Sequence, residues 1–551
     1  MWGNAGAAEG IRTPDPRITN AVLYQLSYRG PLRCAVLIPR KCKRKKYGVL
    51  LARTGSRPRL DRLSTGLGGR FPRAGTGVGR NLILVVARPW RRYREKAETD
   101  IAGSAVLPSI TEPARETPIF GAYEIVVLGG GPAGIAAAAA AGALGRKTLL
   151  IERYGFLGGM GTAAGVTNFC GLHANVHGDI RQVVHGVADD LLARIDRLGG
   201  LNEPHLIFGK TKAQAYDTAA YKCAADDLLA ARKVEVLFHA LAVGAMMNGA
   251  RIDALLVETK SGRVAVRGEV FIDCSGDGDL AHFAGAPFEI GDADGNTLYP
   301  TMMFRLNGVD PAAAGEAWKT IPALMEEAER RGIRFPRKGA IVRPMKHETE
   351  WRVNVTQLKT GNGRAIDGTD ARELSMGESE GRRQALAFFE FLKASAPGFA
   401  GSYVVDIPPQ LGIRETRRIT GRYALTRDDV LGCASFDDTI GVNGWPIEAH
   451  VAGDVIWGWP DIPGSRGFNH LPYRMLLPRN VENLLVAGRC ASMTHEGQSA
   501  ARVSGACFVM GEAAATAAHL ALASNANPAD IDVPRLQQTL ERNGVYLGKQ
   551  L

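Results

Sequence analysis

The chain has 551 residues, enough for about three domains, and its 45% hydrophobic and 22% charged residues are ordinary for a globular protein that dissolves in water. The net charge of +11 comes from the front of the chain. Residues 1–118 hold 23 Lys and Arg against 8 Asp and Glu, whereas the other 433 residues hold 44 against 48. Because the body is slightly acidic, we expect no nucleic-acid partner. No apolar run approaches the roughly 18 residues of a membrane span, and the first residues lack a secretory signal, so we expect a cytoplasmic protein.

The eight cysteines show no C-x-x-C spacing. This argues against a zinc site and against a cysteine-ligated iron–sulfur cluster. A disulfide framework is also not expected in so long a chain without a secretion signal. We therefore predict reduced, buried thiols, no metal site and no iron–sulfur cluster.

Residues 1–106 do not read like a domain, because basic clusters such as KCKRKKYG (41–48) alternate with Gly- and Arg-rich sequence of no hydrophobic period. One interpretation is an arm that binds nucleic acid or membrane. We prefer an extension that is disordered or not natively made. GIRTPDPRITNAVLYQLSYRG (10–30) resembles a phrase at the front of many unrelated bacterial sequences, and looks like a transfer-RNA gene translated in a non-coding frame. N-terminal sequencing of the native protein should then find a start near Val106 rather than Met1.

From Tyr123 onwards the sequence shows the patterns of regular secondary structure. YEIVVLGG is a strand candidate, IAAAAAAGALG (135–145) a helix of small residues, and KTLLIER (147–153) a second strand. The glycines at 129, 131 and 134 form G-x-G-x-x-G between the first strand and the helix. The first glycine permits a tight turn, the second lets the backbone approach a pyrophosphate, and the third lets the helix pack closely on the strand. The helix N-terminus can then interact favourably with this anion. Glu152 stands 18 residues after the third glycine, near the separation expected of a carboxylate that takes ribose hydroxyls.

The segments that follow include both strand and helix candidates. KVEVLFH (233–239) is strand-like, and residues 252–273 predict a hairpin with Gly262 in its turn. Beyond them, YPTMMFRLNGV (299–309) and WRVNVTQL (351–358) look like strands, whereas residues 311–332 and 371–394 look helical. VENLLVAG (481–488) is a buried strand, and SAARVSGACFVMGEAAATAAHLAL (499–522) a long helix of small residues.

Two features favour a flavin dinucleotide over a nicotinamide one. RYGFLGGMGT (153–162) supplies a second glycine cluster directly after Glu152, as a long ligand requires. LLVAGRCAS (484–492) would return a strand and a helix N-terminus to the cofactor, where a helix dipole can stabilise a reduced flavin.

Residues 110–525 resemble the bacterial FAD-dependent oxidoreductase family, which is related to the heterodisulfide reductase A-subunit flavoproteins and shares the glutathione-reductase-type opening. Six phrases match in the same order, among them EPARETPIFGAYEIVVLGGGPAGIAAA (112–138), LLIERYGFLGGMGT (149–162) and LPYRMLLPRNVENLLVAGRCAS (471–492). The resemblance implies an oxidoreductase with noncovalently bound FAD. Unlike the heterodisulfide reductase subunits, this chain lacks cysteine clusters for iron–sulfur centres. The residues implied to line the FAD are Gly129, Gly131, Gly134, Glu152, Arg153, Gly159, Met160, Thr162, Asp277, Gly488 and Arg489.

The expected fold is α/β: a discontinuous Rossmann-like FAD/NAD(P)-binding domain of the glutathione-reductase type with an inserted α+β substrate domain. We predict a first FAD-binding segment at 107–289, the substrate or cap domain at 290–480, a second FAD-binding segment at 481–525 and a C-terminal tail at 526–551. In the inserted segment, Arg414 is a candidate for binding an anionic substrate. His450, His470 and His495 are candidates for taking a proton as hydride goes to the flavin.

The predicted function is two-electron transfer between a small-molecule substrate and FAD, with an unknown electron donor or acceptor, since no second G-x-G-x-x-G is present. Three alternatives stay open. An NAD-dependent dehydrogenase is disfavoured by the C-terminal strand, and a flavin-dependent RNA-modifying enzyme is disfavoured by the acidic body. A non-catalytic flavin-binding scaffold is not excluded by anything in the sequence.

Overall fold

The computed structural model describes residues 35–39, 47–51 and 109–549. The chain divides into two compact units, 1–93 and 94–551. In the first unit, the described residues form the antiparallel strand pair 35–39 and 47–51. The prediction for the rest of residues 1–106 lies outside the described residues. The second unit contains every other described element.

The elements are numbered in chain order over the described residues. The strands are β1 Ala35–Pro39, β2 Tyr47–Leu51, β3 Ile119–Leu128, β4 Thr148–Ile151, β5 Asn168–Phe169, β6 His173–Val176, β7 Asp179–Gln182, β8 His205–Ile207, β9 Thr211–Ala215, β10 Glu235–Leu237, β11 Leu241–Asn248, β12 Arg251–Thr259, β13 Gly262–Asp273, β14 Phe288–Glu289, β15 Phe304–Asn307, β16 Ile341–Pro344, β17 Trp351–Asn354, β18 Tyr403–Asp406, β19 Arg418–Ile419, β20 Thr439–Asn443, β21 Ile447–Val451, β22 Asp454–Gly458, β23 Asn469–Pro472 and β24 Leu484–Val486. The α-helices are α1 Pro132–Ala143, α2 Met160–Ala163, α3 Val187–Arg197, α4 Thr218–Ala231, α5 Asp279–Phe283, α6 Pro311–Ala314, α7 Ala317–Arg330, α8 Ala371–Ser395, α9 Arg427–Leu431, α10 His495–Ala501, α11 Ser504–Ser524 and α12 Val533–Arg542.

The main sheet has seven strands in the order β10-β4-β3-β13-β12-β11, with β24 also paired to β13. The strands β10, β4, β3, β13 and β24 run parallel to one another. β12 pairs antiparallel with β13, and β11 pairs antiparallel with β12. The last four residues of β3, all at most 5% exposed, form the continuous apolar run that a strand buried on both faces requires. The predicted 252–273 hairpin is β12 and β13. The expected α/β fold of Rossmann type is confirmed.

The turn from β3 into α1 shows why glycines stand there. Gly129 has φ +97°, and a Cβ added to it would lie 2.5 Å from the carbonyl oxygen of Cys274. A Cβ on Gly134 would lie only 1.8 Å from the carbonyl oxygen of Gly129. Pro132 begins the helix, because its fixed φ suits the first helical position and its missing N–H costs nothing there. The helix can therefore start close against the sheet.

Helix α11 packs against α1, and the two helices make close backbone contact. A Cβ on Gly511 would lie 2.0 Å from the carbonyl oxygen of Ala133, and one on Gly505 would lie 2.2 Å from that of Gly171. The glycines of α11 therefore allow its backbone to contact the backbones of α1 and of the segment at Gly171. The sequence predicted one helix over 499–522, but the structure has two, α10 and α11, separated at Arg502 and Val503.

One described helix, α11, is long and apolar enough to span a membrane by length and composition, but 83% of its apolar window is buried within the fold. Such burial is what the core helix of a globular domain shows. Helix α12 also packs inward, because Leu536 and Leu540 are fully buried. It lies within the segment predicted as a C-terminal tail.

A second sheet, antiparallel and ordered β16-β17-β15-β18, carries its own apolar core. That core contains buried residues between Met302 and Ile413, including Trp351 and Phe399, and helices α7 and α8 contribute to it. Buried residues between Ile419 and Leu477 pack instead into the core of the main sheet. The predicted domain limits at 290 and 480 stay predictions.

A buried carboxyl in α11 gives the fold a pH-dependent stability. Glu512 is 3% exposed and accepts a hydrogen bond from the backbone N–H of Val187 at 2.9 Å. Burial raises the pKa of Glu512 from 4.5 to about 7, although the Val187 N–H acts in the opposite direction. The folded protein therefore binds a proton between pH 4.5 and 7 that the unfolded chain does not, so stability falls as pH rises through this window.

We expect Glu512→Gln, which cannot ionise, to abolish this part of the pH dependence. Between pH 5 and pH 8 the wild type should lose about 2.5 kcal/mol of unfolding free energy relative to the variant. Urea unfolding of both proteins at several pH values measures the difference, and the other titrating groups cancel. Parallel curves for the two proteins would contradict the prediction.

Candidate dinucleotide and substrate cavity

One deep cavity lies where the carboxyl ends of the main-sheet strands meet the second sheet. Its volume is about 350 Å³. This lies at the lower end of the roughly 300–1,000 Å³ that is usual for a ligand pocket. One part of its lining is a glycine-rich wall, and the rest carries arginine, histidine and aromatic side chains.

The glycine-rich wall consists of two turns that face each other. Gly131, at the start of α1, lies against Gly159, at the start of α2. A Cβ on Gly159 would lie 2.7 Å from the Cα of Gly131. No side chain of the described residues caps the N-terminus of α1. Its first N–H groups and its dipole are therefore available to an anion that enters between the two turns.

Glu152, at the end of β4, is held beside this loop. Its Oε2 accepts a hydrogen bond from the backbone N–H of Gly130 at 2.6 Å, and its Oε1 accepts one from the N–H of Tyr154 at 2.9 Å. Burial raises the pKa of this carboxyl above its usual value, although both N–H groups act against it. A carboxylate oxygen has two lone pairs, so each oxygen can accept a further bond from a ligand hydroxyl.

Arg489, which follows Gly488 at the end of β24, extends along the cavity wall and is fixed by Asp277. Its Nη2 donates to Asp277 Oδ1 at 2.9 Å, and its Nη1 donates to Thr416 Oγ1 at 2.9 Å. Burial alone would raise the pKa of Asp277, but Arg489 and Arg153 outweigh it and hold that pKa below its usual value. The ion pair joins the C-terminal strand to the loop after β13.

His450 and Glu448, two residues apart in β21, form a hydrogen-bonded pair that also lines the cavity. His450 Nε2 lies 3.1 Å from Glu448 Oε1, and Trp445 Nε1 donates to Glu448 Oε2 at 3.0 Å. Burial would raise the pKa of Glu448, but His450 and Arg502 outweigh it and hold the value at about 2. Burial lowers the pKa of His450 well below 6.5, and Arg414 lowers it further.

These pKa directions fix the tautomer of His450. An ionised carboxylate can only accept a hydrogen bond, so Nε2 must carry the proton that is donated to Glu448. A neutral imidazole then keeps a lone pair on Nδ1. Nδ1 of His450 therefore keeps a free lone pair, although the lowered pKa makes this histidine a weak base.

Ten of the residues predicted from the sequence line this one cavity, although they are spread over more than 350 positions. Two are the candidates Arg414 and His450 from the inserted segment. The cofactor candidates that line it are Gly129, Gly131, Glu152, Arg153, Gly159, Met160, Gly488 and Arg489.

Three residues that were predicted to contact the cofactor are not among the residues that line the cavity. The hydroxyl of Thr162 donates to the carbonyl oxygen of Leu157 at 2.7 Å, and Gly134 lies under the loop against Gly129. Asp277 supports Arg489 through their ion pair. Contacts of Gly134, Thr162 and Asp277 with a cofactor remain predictions.

Two of the histidine candidates are not among the lining residues. His470 Nδ1 accepts from the N–H of Phe436 at 3.2 Å, close to the C-terminal segment. His495 Nδ1 lies 2.9 Å from Oε2 of the fully buried Glu415, without the alignment of a hydrogen bond. Of the three histidine candidates, His450 is the one that lines the cavity.

The residues present fit a dinucleotide. Two tight glycine turns, an uncapped N-terminus of α1 and a carboxylate at the end of β4 are the features that binding of a pyrophosphate and a ribose requires, and we call them the cradle. The fold and this site define a dinucleotide-dependent enzyme of the Rossmann class.

The family model described as FAD dependent oxidoreductase matches residues 124–540. The chain belongs to this family and is an FAD-dependent oxidoreductase. No curated protein sequence matches the chain significantly.

Solved structures with similar folds are distant. A geranylgeranyl bacteriochlorophyll reductase-like protein from Thermoplasma acidophilum has 16% identity and a TM-score of 0.40, over 76% of this chain and 82% of that one. A p-nitrophenol 4-monooxygenase from Pseudomonas putida has 12% identity and a TM-score of 0.38, over 78% and 90%. The myxobacterial chondrochloren halogenase, an FAD-dependent halogenase, has 14% identity and a TM-score of 0.38, over 76% and 78%. These similarities give no information on the substrate.

The sequence interpretation missed most of the cavity lining outside the glycine-rich wall. The missed residues include Phe169, Tyr216, His205, Arg343, Arg352, Trp445, Trp457 and Arg502. These residues lie in separate short elements and share no local motif. The one available signal was the presence of arginines in otherwise apolar strands, as in IVRP (341–344) and WRVN (351–354).

Proposed function

We propose that this enzyme transfers two electrons between a small-molecule substrate and noncovalently bound FAD. The observation that supports the proposal best is that the glycine cradle and the His450–Glu448 pair line the same cavity. Neither feature alone would favour redox chemistry. Together they bring a cofactor site and a proton acceptor within one enclosed space.

Each segment of the chain then has a role. The glycine turns and the first turn of α1 hold the pyrophosphate, Glu152 holds the ribose, and Arg489 is positioned by Asp277 along the cofactor. Bound FAD supplies the two-electron chemistry, for which no side chain is suited. His450 accepts at Nδ1 the proton that a substrate C–H, O–H or N–H group gives up, and Glu448 stabilises the imidazolium that results.

The proposal leaves the electron partner as a separate molecule, because the sequence contains one dinucleotide loop. We also propose a cytoplasmic location, and no nucleic-acid partner because the body of the chain is mildly acidic.

The visible absorption spectrum of the purified full-length protein tests the proposal. We expect the two-banded spectrum of a flavin, release of FAD on heating as identified by mass, and bleaching by a substrate under anaerobic conditions. A colourless folded protein that gains no colour from added FAD would contradict the cofactor assignment. Bound FAD that no donor reduces would favour a non-catalytic scaffold.

A further inference from the structure

The second sheet places three arginines in one cross-strand row. Arg352 in β17 is paired directly with Arg305 in β15 on one side and with Arg343 in β16 on the other. Like charges directly opposite each other destabilise a sheet. The row therefore needs negative charge nearby to be tolerated.

Arg305 has that compensation within the protein. Its Nη1 lies 2.6 Å from Glu350 Oε1 and 3.8 Å from Asp217 Oδ2, and its Nε lies 3.3 Å from Asp406 Oδ2. Three carboxylates thus surround the arginine at the end of the row away from the cavity.

Arg352 and Arg343 form no ion pair among the described residues. Arg352 is 4% exposed and donates to the carbonyl oxygen of Thr167 at 3.1 Å, with His205 Nε2 3.5 Å away. Arg343 lies over the Trp318 ring, 4.8 Å from its centroid. Both arginines line the cavity. Burial lowers the pKa of Arg352 to about 10, as expected of a cation removed from water without a carboxylate partner.

The surface next to this arginine pair is apolar. His205 begins the β8–β9 hairpin, and Ile207 and Phe208 of the same hairpin also line the cavity. The Phe208 ring is 5.1 Å from Trp457, which in turn is 6.1 Å from Trp445. A ligand held by the arginines would have its remaining atoms against these rings.

We propose that Arg343 and Arg352 bind the carboxylate of a small substrate whose body is apolar and packs against the aromatic side chains of the cavity. The planar guanidinium group matches a carboxylate with two parallel hydrogen bonds, and a bound anion supplies the ion-pair partner that Arg343 and Arg352 do not have among the described residues. The inference rests on the proposed function in taking the ligand to be the substrate. Binding of the carboxylate itself requires no turnover.

Calorimetry on the full-length protein as purified, with FAD content measured in parallel, tests the pair directly. The probes are benzoate, its neutral analogue benzamide, and inorganic phosphate. We expect benzoate to bind at least tenfold more tightly than benzamide or phosphate. Arg343→Gln and Arg352→Gln should each weaken benzoate roughly 10- to 100-fold and leave benzamide unchanged. Arg352→Lys, which keeps the charge but loses the planar fork, should weaken benzoate by an intermediate factor.

Arg334→Gln removes an exposed arginine and is the matched control, which should bind benzoate like the wild type. Equal binding of benzoate and benzamide would overturn the proposal, as would phosphate binding as tight as that of benzoate. Loss of FAD from Arg343→Gln would overturn it too, because the pair would then hold the cofactor. If the wild type lacks FAD but still binds benzoate more tightly than benzamide and phosphate, the proposed function is wrong and the carboxylate site stands.

Discussion

Replacement of Gly159 by alanine is expected to give a folded protein that has lost most of its FAD. Gly159 has φ +54° and ψ −134°, a conformation that is essentially restricted to glycine. The added Cβ would also lie 2.7 Å from the Cα of Gly131, so the two turns would have to separate. Strain and overpacking together cost about 2–4 kcal/mol, which is roughly a 30- to 1,000-fold weaker FAD affinity.

The ratio of flavin to protein absorbance after purification, and calorimetric titration of the apoprotein with FAD, measure this loss. Gly145→Ala is the control, because Gly145 also has a positive φ, +75°, but has no atom within 4 Å of an added Cβ. It shares the backbone strain and lies away from the cradle. Full FAD occupancy in Gly159→Ala would show that the two turns do not hold the cofactor.

Replacement of His450 by glutamine is expected to slow substrate-dependent reduction of the bound flavin roughly 10²- to 10⁴-fold, the usual contribution of a general base. Glutamine can still hydrogen-bond Glu448, so the wall should keep its shape while it loses the lone pair of Nδ1. The rate is measured as anaerobic bleaching by the donor that reduces the wild type, in protein with full FAD content.

His495→Gln is the matched comparison, because His495 also lies next to a buried glutamate but is not among the cavity-lining residues. Its rate should remain close to that of the wild type. If the His495 variant is the slow one, the assignment of the proton acceptor to His450 is wrong.

The glycine turn between β3 and α1 could be predicted from the sequence because its information is local. The strand, the three glycines and the helix follow one another within about 30 residues, and Gly129 and Gly134 each make a contact that only the absence of a Cβ allows. The break at Arg502 was not foreseen. The small residues on both sides continue the helical pattern, whereas the N–H of Gly505, at the start of α11, donates to the carbonyl oxygen of Cys170 in a distant segment at 2.9 Å.

The substrate side could not be predicted in the same way. Arg343 and Arg352 are nine positions apart in the sequence, yet they are direct neighbours because β16 and β17 pair in one particular register. The sequence likewise named three histidines without distinguishing them. Their burial and partners depend on loops from distant segments, so only the three-dimensional arrangement places His450 on the cavity wall.

The position of β24 has a consequence for how the protein is made. The C-terminal end of β13, residues 271–273, pairs with β3 on one side and with Leu484–Val486 on the other. Ribosomes add roughly 5–20 residues per second, so this strand end waits on the order of 10–40 s for its second neighbour during translation. A nascent chain that stalls within this interval lacks Gly488, Arg489 and α11. Premature termination should therefore yield polypeptides without a complete cofactor cradle and with an unpaired apolar strand edge, which are targets for chaperones and proteases.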